Sequence, residues 1–330
     1  MGIGDVAGVF SRYFIVGFFL PTFFALVALS QTLTDAFLPS VYLDAGDGAR
    51  IAILGGAGLL VGLVLSGLHY SVLRLYEGYP LEARATTWYA QPFYRFLMKH
   101  QHKCFADAKA ACEDPDVSPV KRRTAKWRLD RHFPWDADNL LLPTRFGNAL
   151  RAFERHPRSR WGLNGIAAWP HVEMLMSTDE TAVHTDAKGD LAFFINGSLV
   201  ALVAGCALVA DGIAHQPVDW YLLWLYVIPF ALSAAFYKAA IGATIRWGSA
   251  VRASMDIHRL ELYEKLGLRK PNDFTDERER IAPAVNGALL RAEAIPDSLV
   301  ATDDPEGAEE PDGATIKFGG MSLRLEQDRE

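Results

Sequence analysis

YFIVGFFLPTFFALVALSQTLT, residues Tyr13–Thr34, contains no Asp, Glu, Lys or Arg. A helix rises about 1.5 Å per residue, so about 20 mostly apolar residues cross a hydrocarbon core about 30 Å thick. Three more runs of this kind follow: Ile51–Leu73, Leu191–Ala210 and Trp220–Tyr237. Lipid offers no partner for a backbone N–H or C=O, so such a run satisfies its own polar groups by folding as a helix. The chain of 330 residues therefore reads as all-α and polytopic, with four transmembrane helices and a helical cytoplasmic domain. The first run is longer than the 7–15 residues usual for the apolar part of a signal peptide, so it is expected to stay as a span despite the loose cleavage pattern Ala28-Leu29-Ser30.

Lys and Arg resist translocation, so their distribution sets the orientation. The connection Gln31–Arg50 holds Arg50 alone against Asp35, Asp44 and Asp47, and Asp211–Asp219 holds no basic residue. By contrast, Arg74–Asp190 holds 18 Lys and Arg, and the stretch from Arg246 onward holds 12. Both termini and the long central segment are then cytoplasmic. The expected layout is a transmembrane hairpin within 1–73, a helical insertion over 74–190, a second hairpin over 191–245, cytoplasmic helices over 246–301 and a disordered acidic tail over 302–330. Cys104, Cys112 and Cys206 form no paired framework and read as free thiols of a reducing compartment.

Within the spans, Pro21 predicts a kink, because proline removes a backbone donor and crowds the preceding turn. Gly58, Gly62 and Ser66 fall on one helical face, which suits close helix packing. Two readings of that face stand: a seam between subunits, or ordinary packing inside one bundle. Asn196-Gly197-Ser198 matches a glycosylation acceptor, but a site inside a bilayer cannot be used. No acid or base lies mid-span, which argues against a proton relay or an ion-coupled carrier and leaves a passive pore open.

The insertion predicts a helix over Leu81–Glu113 with Phe93, Phe96, Leu97, Phe105 and Ala108 in amphipathic spacing. Lys121–Arg131 interleaves six basic residues with Trp127, and Phe133 and Trp135 come next. It reads either as a strip lying on anionic lipid headgroups or as a solvated helix face. A nucleic-acid surface is disfavoured, because Arg74–Asp190 nets only +3. Arg145, Asn148, Arg151, Glu154, Trp169 and His171 form the candidate functional cluster of the dense stretch beyond it.

Phosphate loops, nucleophile elbows and zinc motifs are missing, so no catalytic residue, cofactor or metal is assigned. In His100-x-His102-x-Cys104 only His100 and Cys104 share a helix face, two of the four ligands zinc usually takes. His171 and Glu173, with Asp179, Glu180 and His184 nearby in sequence, form a carboxylate–imidazole site only if they converge in space.

Two patterns carry a resemblance. One is Pro143-Thr144-Arg145-Phe146-Gly147-Asn148 with Arg151, Glu154, Trp161-Gly162 and Trp169-Pro170-His171. The other is Asp256-x-x-Arg259-x-x-Leu262 leading to Leu266-Gly267 and Pro271. In these the chain resembles a group of uncharacterised bacterial four-span membrane proteins. The resemblance implies the same inner-membrane architecture and transfers no catalytic residue. The expected function is a non-enzymatic, self-associating inner-membrane protein working as a gated pore or membrane sensor. The alternatives are an anchor or adaptor recruiting a cytoplasmic partner, and a membrane-bound enzyme with its site around His171 and Glu173.

Overall fold

All four apolar runs lie in helices over most of their described residues, and two of the helices continue well beyond the apolar residues. The computed structural model describes residues 11–135, 140–214, 223–301, 316–318 and 321–323. In chain order the helices are α1 (Arg12–Thr32), α2 (Asp47–Gly67), α3 (His69–Glu77), α4 (Gln91–Glu113), α5 (Pro119–His132), α6 (Arg145–Glu154), α7 (His156–Trp161), α8 (Gly165–Leu175), α9 (Thr178–Ala214), α10 (Leu223–Lys265) and α11 (Ala282–Arg291). Among the described residues, α1, α2, α9 and α10 are long and apolar enough to cross a membrane. The protein is an all-α polytopic chain with a helical domain at one end of its bundle.

The kink expected at Pro21 takes the form of a π turn over Ile15–Phe19, in which the Leu20 N–H reaches the Ile15 carbonyl. Pro21 donates nothing, so the carbonyl of Gly17 needs another partner. Asn196 of α9 supplies it: its Nδ2 donates to the Gly17 oxygen at 2.8 Å, in a fully buried setting. Close approach allows this, since a Cβ on Gly17 would stand 2.8 Å from Ala192 Cβ. The α9–α10 seam is tied by two buried serines. Ser198 Oγ donates to the Ser233 carbonyl at 3.0 Å, and Ser233 Oγ donates to the Ser198 carbonyl at 2.8 Å.

Several boundaries differ from the sequence reading. Helix α9 starts at Thr178, because Asp179 and Glu180 suit the positive end of a helix and nothing breaks the chain before the apolar run. The fourth span and the helix expected over Arg246–Leu266 are one element, α10, since Gly242 and Gly248 are tolerated and the first left-handed glycine is Gly267, at φ 74°. Leu81–Glu113 is interrupted: a short turn of helix over Tyr79–Ala83 ends before α4 begins at Gln91, with Pro92 in the first turn, where a missing N–H costs little. Helix α8 starts at Gly165 rather than at Trp169, because Asn164 caps it by accepting from the Ile166 and Ala167 amides.

The insertion and the segment after the fourth span share one core. Phe153, Leu163 and Val172 pack with Met255, Tyr263 and Ile281. Most of the expected disordered tail, including 302–315, lies outside the described residues. Within it, Ile316–Phe318 and Met321–Leu323 pair as a short antiparallel ladder.

Candidate functional site

The Pro143–Asn148 motif docks the helical domain onto the end of the second span. Helix α3 stops at Glu77 because Gly78 turns left-handed, at φ 93°, a conformation glycine adopts freely. Thr144 caps α6: its Oγ1 accepts from the Gly147 amide at 3.0 Å and donates to the Glu77 carbonyl at 3.0 Å. Asn148 is fully buried. Its Oδ1 accepts from the Leu142 amide at 2.7 Å, and its Nδ2 donates to the Leu142 carbonyl and to Gln101 Oε1. Arg151 donates to the Leu140 carbonyl at 2.6 Å and to the Tyr79 hydroxyl at 2.9 Å.

These clamps gather two acids and two arginines around one ring. Arg74 lies 4.1 Å from the Tyr79 ring centre and Arg151 lies 5.6 Å from it. Glu77 is buried, 7 % exposed. Burial, and then the charge of Glu154, push the Glu77 carboxyl up to about 7, against the pull of Arg74 and Arg151. Burial also raises Glu154, opposed by Arg151 and Arg74. Two interacting carboxyls titrate as a unit, and a carboxyl held near 7 can take or release a proton at neutral pH. Glu154 also borders a cavity of about 150 Å³ that Trp169, Trp247, Val251 and Met255 share.

Of the sequence-selected cluster, Asn148, Arg151 and Glu154 meet at this junction. Arg145 faces away from it, its Nη2 lying 3.1 Å from His100 Nε2. Trp169 packs on His184, ring centres 5.1 Å apart, whereas His171 is exposed. Glu173 pairs with Lys188 at 2.6 Å, His184 meets Ser254 at 2.9 Å, and Glu180 bonds Ser177 and His258. Glu173, Glu180 and Lys188 also act electrostatically on the His184 imidazole, so these groups are neighbours between α8, α9 and α10. Glu77, Arg74 and Tyr79 escaped the sequence reading. Their signal in the sequence is slight: an acid at a helix end before Gly78, with Arg74 one turn earlier.

His100 lies 3.6 Å from Cys104 Sγ, but no group of three His, Cys, Asp or Glu suited to a metal occurs among the described residues. Gly58 and Gly62 face α1 of the same chain: a Cβ would stand 3.2 Å from Phe23 Cα at Gly58 and 3.4 Å from Phe19 Cα at Gly62. Their close packing is therefore internal to the bundle, and Ser66 is half-buried beyond them. Along Lys121–Arg131, Lys121, Arg123 and Lys126 are exposed, while Arg122 turns back to donate to the Asp114, Pro115 and Val117 carbonyls.

The second motif ties the far end of the domain. Trp161 Nε1 donates to Asp256 Oδ1 at 2.6 Å, and Arg259 stacks 3.6 Å from the Trp161 ring centre. Arg259 Nε donates at 2.8 Å to Glu277, which is buried and also accepts from the Tyr263 hydroxyl at 3.1 Å. Both motifs are thus accounted for by docking contacts. No family model, curated protein or solved structure matches this chain.

Proposed function

We propose that this chain is a non-catalytic sensor of a bacterial inner membrane, with both termini and the helical domain in the cytoplasm. Membership of the four-span group it resembles is part of the same proposal. The carrying observation is the junction of Glu77 and Glu154 with Arg74, Arg151 and Tyr79, set where the second span meets the domain. A carboxyl held near neutrality at such a hinge makes the docking of the domain depend on proton occupancy. Helices α9 and α10 run from the bundle into the domain without a break, so a change at the junction is passed along stiff elements.

The pore reading is weaker on this geometry. Gly17, Gly58 and Gly62 let α1, α2 and α9 approach closely, which favours a packed bundle over an axial path within one chain. A pore then needs assembly, and self-association would use the outward face of α2, with Leu60, Leu63 and Val64, rather than the Gly58 face.

The test is amide exchange of full-length protein in lipid nanodiscs between pH 5.5 and 8. Residues 74–79 and 140–154 should exchange faster as Glu77 loses its proton, and a Glu77→Gln variant should lose that response. Exchange that is flat with pH in the wild type, or unchanged by the substitution, rejects the reading. Closed rings seen in the same nanodiscs would move the pore ahead of the sensor.

A further inference from the structure

Where α10 leaves its apolar segment, a second cavity opens between α4, α5, α6 and α10. It has a volume of about 280 Å³, and Gln101, Trp127, Arg128, His132, Arg145 and Lys238 supply its polar and aromatic lining. Among the described residues no Asp or Glu lines it. Arg128, Arg145 and Lys238 come from three separate helices and are all exposed at their outer faces. None of the three forms an ion pair among the described residues. Arg145 has only the His100 ring nitrogen, at 3.1 Å. Burial, then the guanidiniums of Arg128 and Arg145, hold the His132 imidazole below its ordinary value, which leaves it neutral at pH 7. Three like charges converging on one concavity repel one another, and an anion between them turns that repulsion into attraction.

We propose that this cavity is a site for an anionic phosphate group, of the kind an anionic phospholipid headgroup presents. Guanidiniums match phosphate oxygens in paired hydrogen bonds, and Lys adds a mobile point charge. The volume falls just below the roughly 300–1,000 Å³ of sites for drug-sized ligands, in keeping with a headgroup rather than a larger solute. Lys238 comes directly after the fourth span, which puts the cavity at headgroup depth, and basic pockets between span ends are where such headgroups bind. Trp127, 47 % exposed at the rim with Arg131 stacked 5.7 Å from its ring, suits the same interfacial layer. The assignment rests on the proposed function only in placing this end of the bundle at a bilayer surface.

The test uses full-length protein in phosphatidylcholine nanodiscs with and without phosphatidylglycerol, reading retained phosphatidylglycerol by native mass spectrometry. The pocket variant is Arg128→Gln, Arg145→Gln and Lys238→Gln together. The control is Lys121→Gln, Arg123→Gln and Lys126→Gln, which removes the same charge from the exposed strip. The pocket variant should bind phosphatidylglycerol roughly a hundredfold more weakly, and the control should stay within about threefold of wild type. Equal phosphatidylglycerol binding by the pocket variant without any difference in its response to inorganic phosphate, or equal loss in the control, overturns the site. Inorganic phosphate is the second arm. If it raises the Tm of wild type but not of the pocket variant in phosphatidylcholine alone, while phosphatidylglycerol retention is the same in both, the phosphate chemistry stands and the lipid source falls. The pH response of residues 74–79 is read on the same variants, so loss of this site is separable from failure of the sensor reading.

Discussion

Helices α1 and α2 end at Thr32 and Gly67, close to the limits of their apolar residues, whereas α9 and α10 run for 37 and 43 residues. At about 1.5 Å per residue the second pair spans about 55 and 65 Å, roughly twice a hydrocarbon core. The two hairpins therefore do different work from similar composition. The first is a membrane element whose polar continuation is broken at Leu68 and again at Gly78. The second is a spine, on which α6, α8 and α11 assemble a core through Phe153, Val172 and Val285. The role of a span is thus set by the residues that flank it on the domain side. A left-handed glycine returns the chain to the surface, and an unbroken helix carries the membrane's geometry into the domain.

The most direct way to break this contrast is a proline in the spine. Ala243→Pro, at a buried site in α10, should cost about 3 kcal/mol or more by removing a helix hydrogen bond and crowding the previous turn. Limited proteolysis should then cut the helical domain while the first hairpin stays protected in lipid. Equal protection of both parts would show that the continuity of α10 matters little.

The junction gives the next effect. The Glu77 carboxyl ordinarily titrates at 4.5 and is held at about 7 in the folded chain. As pH rises, the unfolded state gives up its proton first, so stability declines between these values and levels off above the folded one. Glu77→Gln keeps the size without the charge. It should therefore be more stable than wild type at pH 8, by up to about 3 kcal/mol, and indistinguishable near pH 4. Thermal unfolding in nanodiscs at the two pH values measures it, and a wild-type stability that rises with pH through this window would reverse the sign.

A smaller difference sharpens the account of the first hairpin. Gly17→Ala places a Cβ 2.8 Å from Ala192 and should cost about 1–3 kcal/mol by overpacking. Gly55→Ala meets nothing within 4 Å and should stay within about 1 kcal/mol of wild type. If both variants unfold alike, the close crossing of α1 and α9 is not what holds the hairpin.

Much of the frame is legible in the sequence. The apolar runs and the packing face of Gly58 and Gly62 each depend on a local rule, and each is present. Asn148 and Arg151 stand out as dense polar positions, but nothing in the sequence points to their partners Leu142, Gln101, Leu140 and Tyr79. His171 is exposed and Glu173 pairs with Lys188, a partner that nothing in the sequence points to. Nearness along the chain is a poor guide to a shared site, and two residues apart on a helix point in different directions.

The sequence by itself determined which four stretches make helices long and apolar enough to cross a membrane. A stretch of about 20 apolar residues has one low-energy environment and one backbone form within it. Only the tertiary structure decided that Glu77 lies near Glu154, that Arg128, Arg145 and Lys238 face one cavity, and that Asn196 serves the carbonyl freed by Pro21. Those pairings join residues far apart in the chain. Their energies depend on burial and on charges that packing alone brings together.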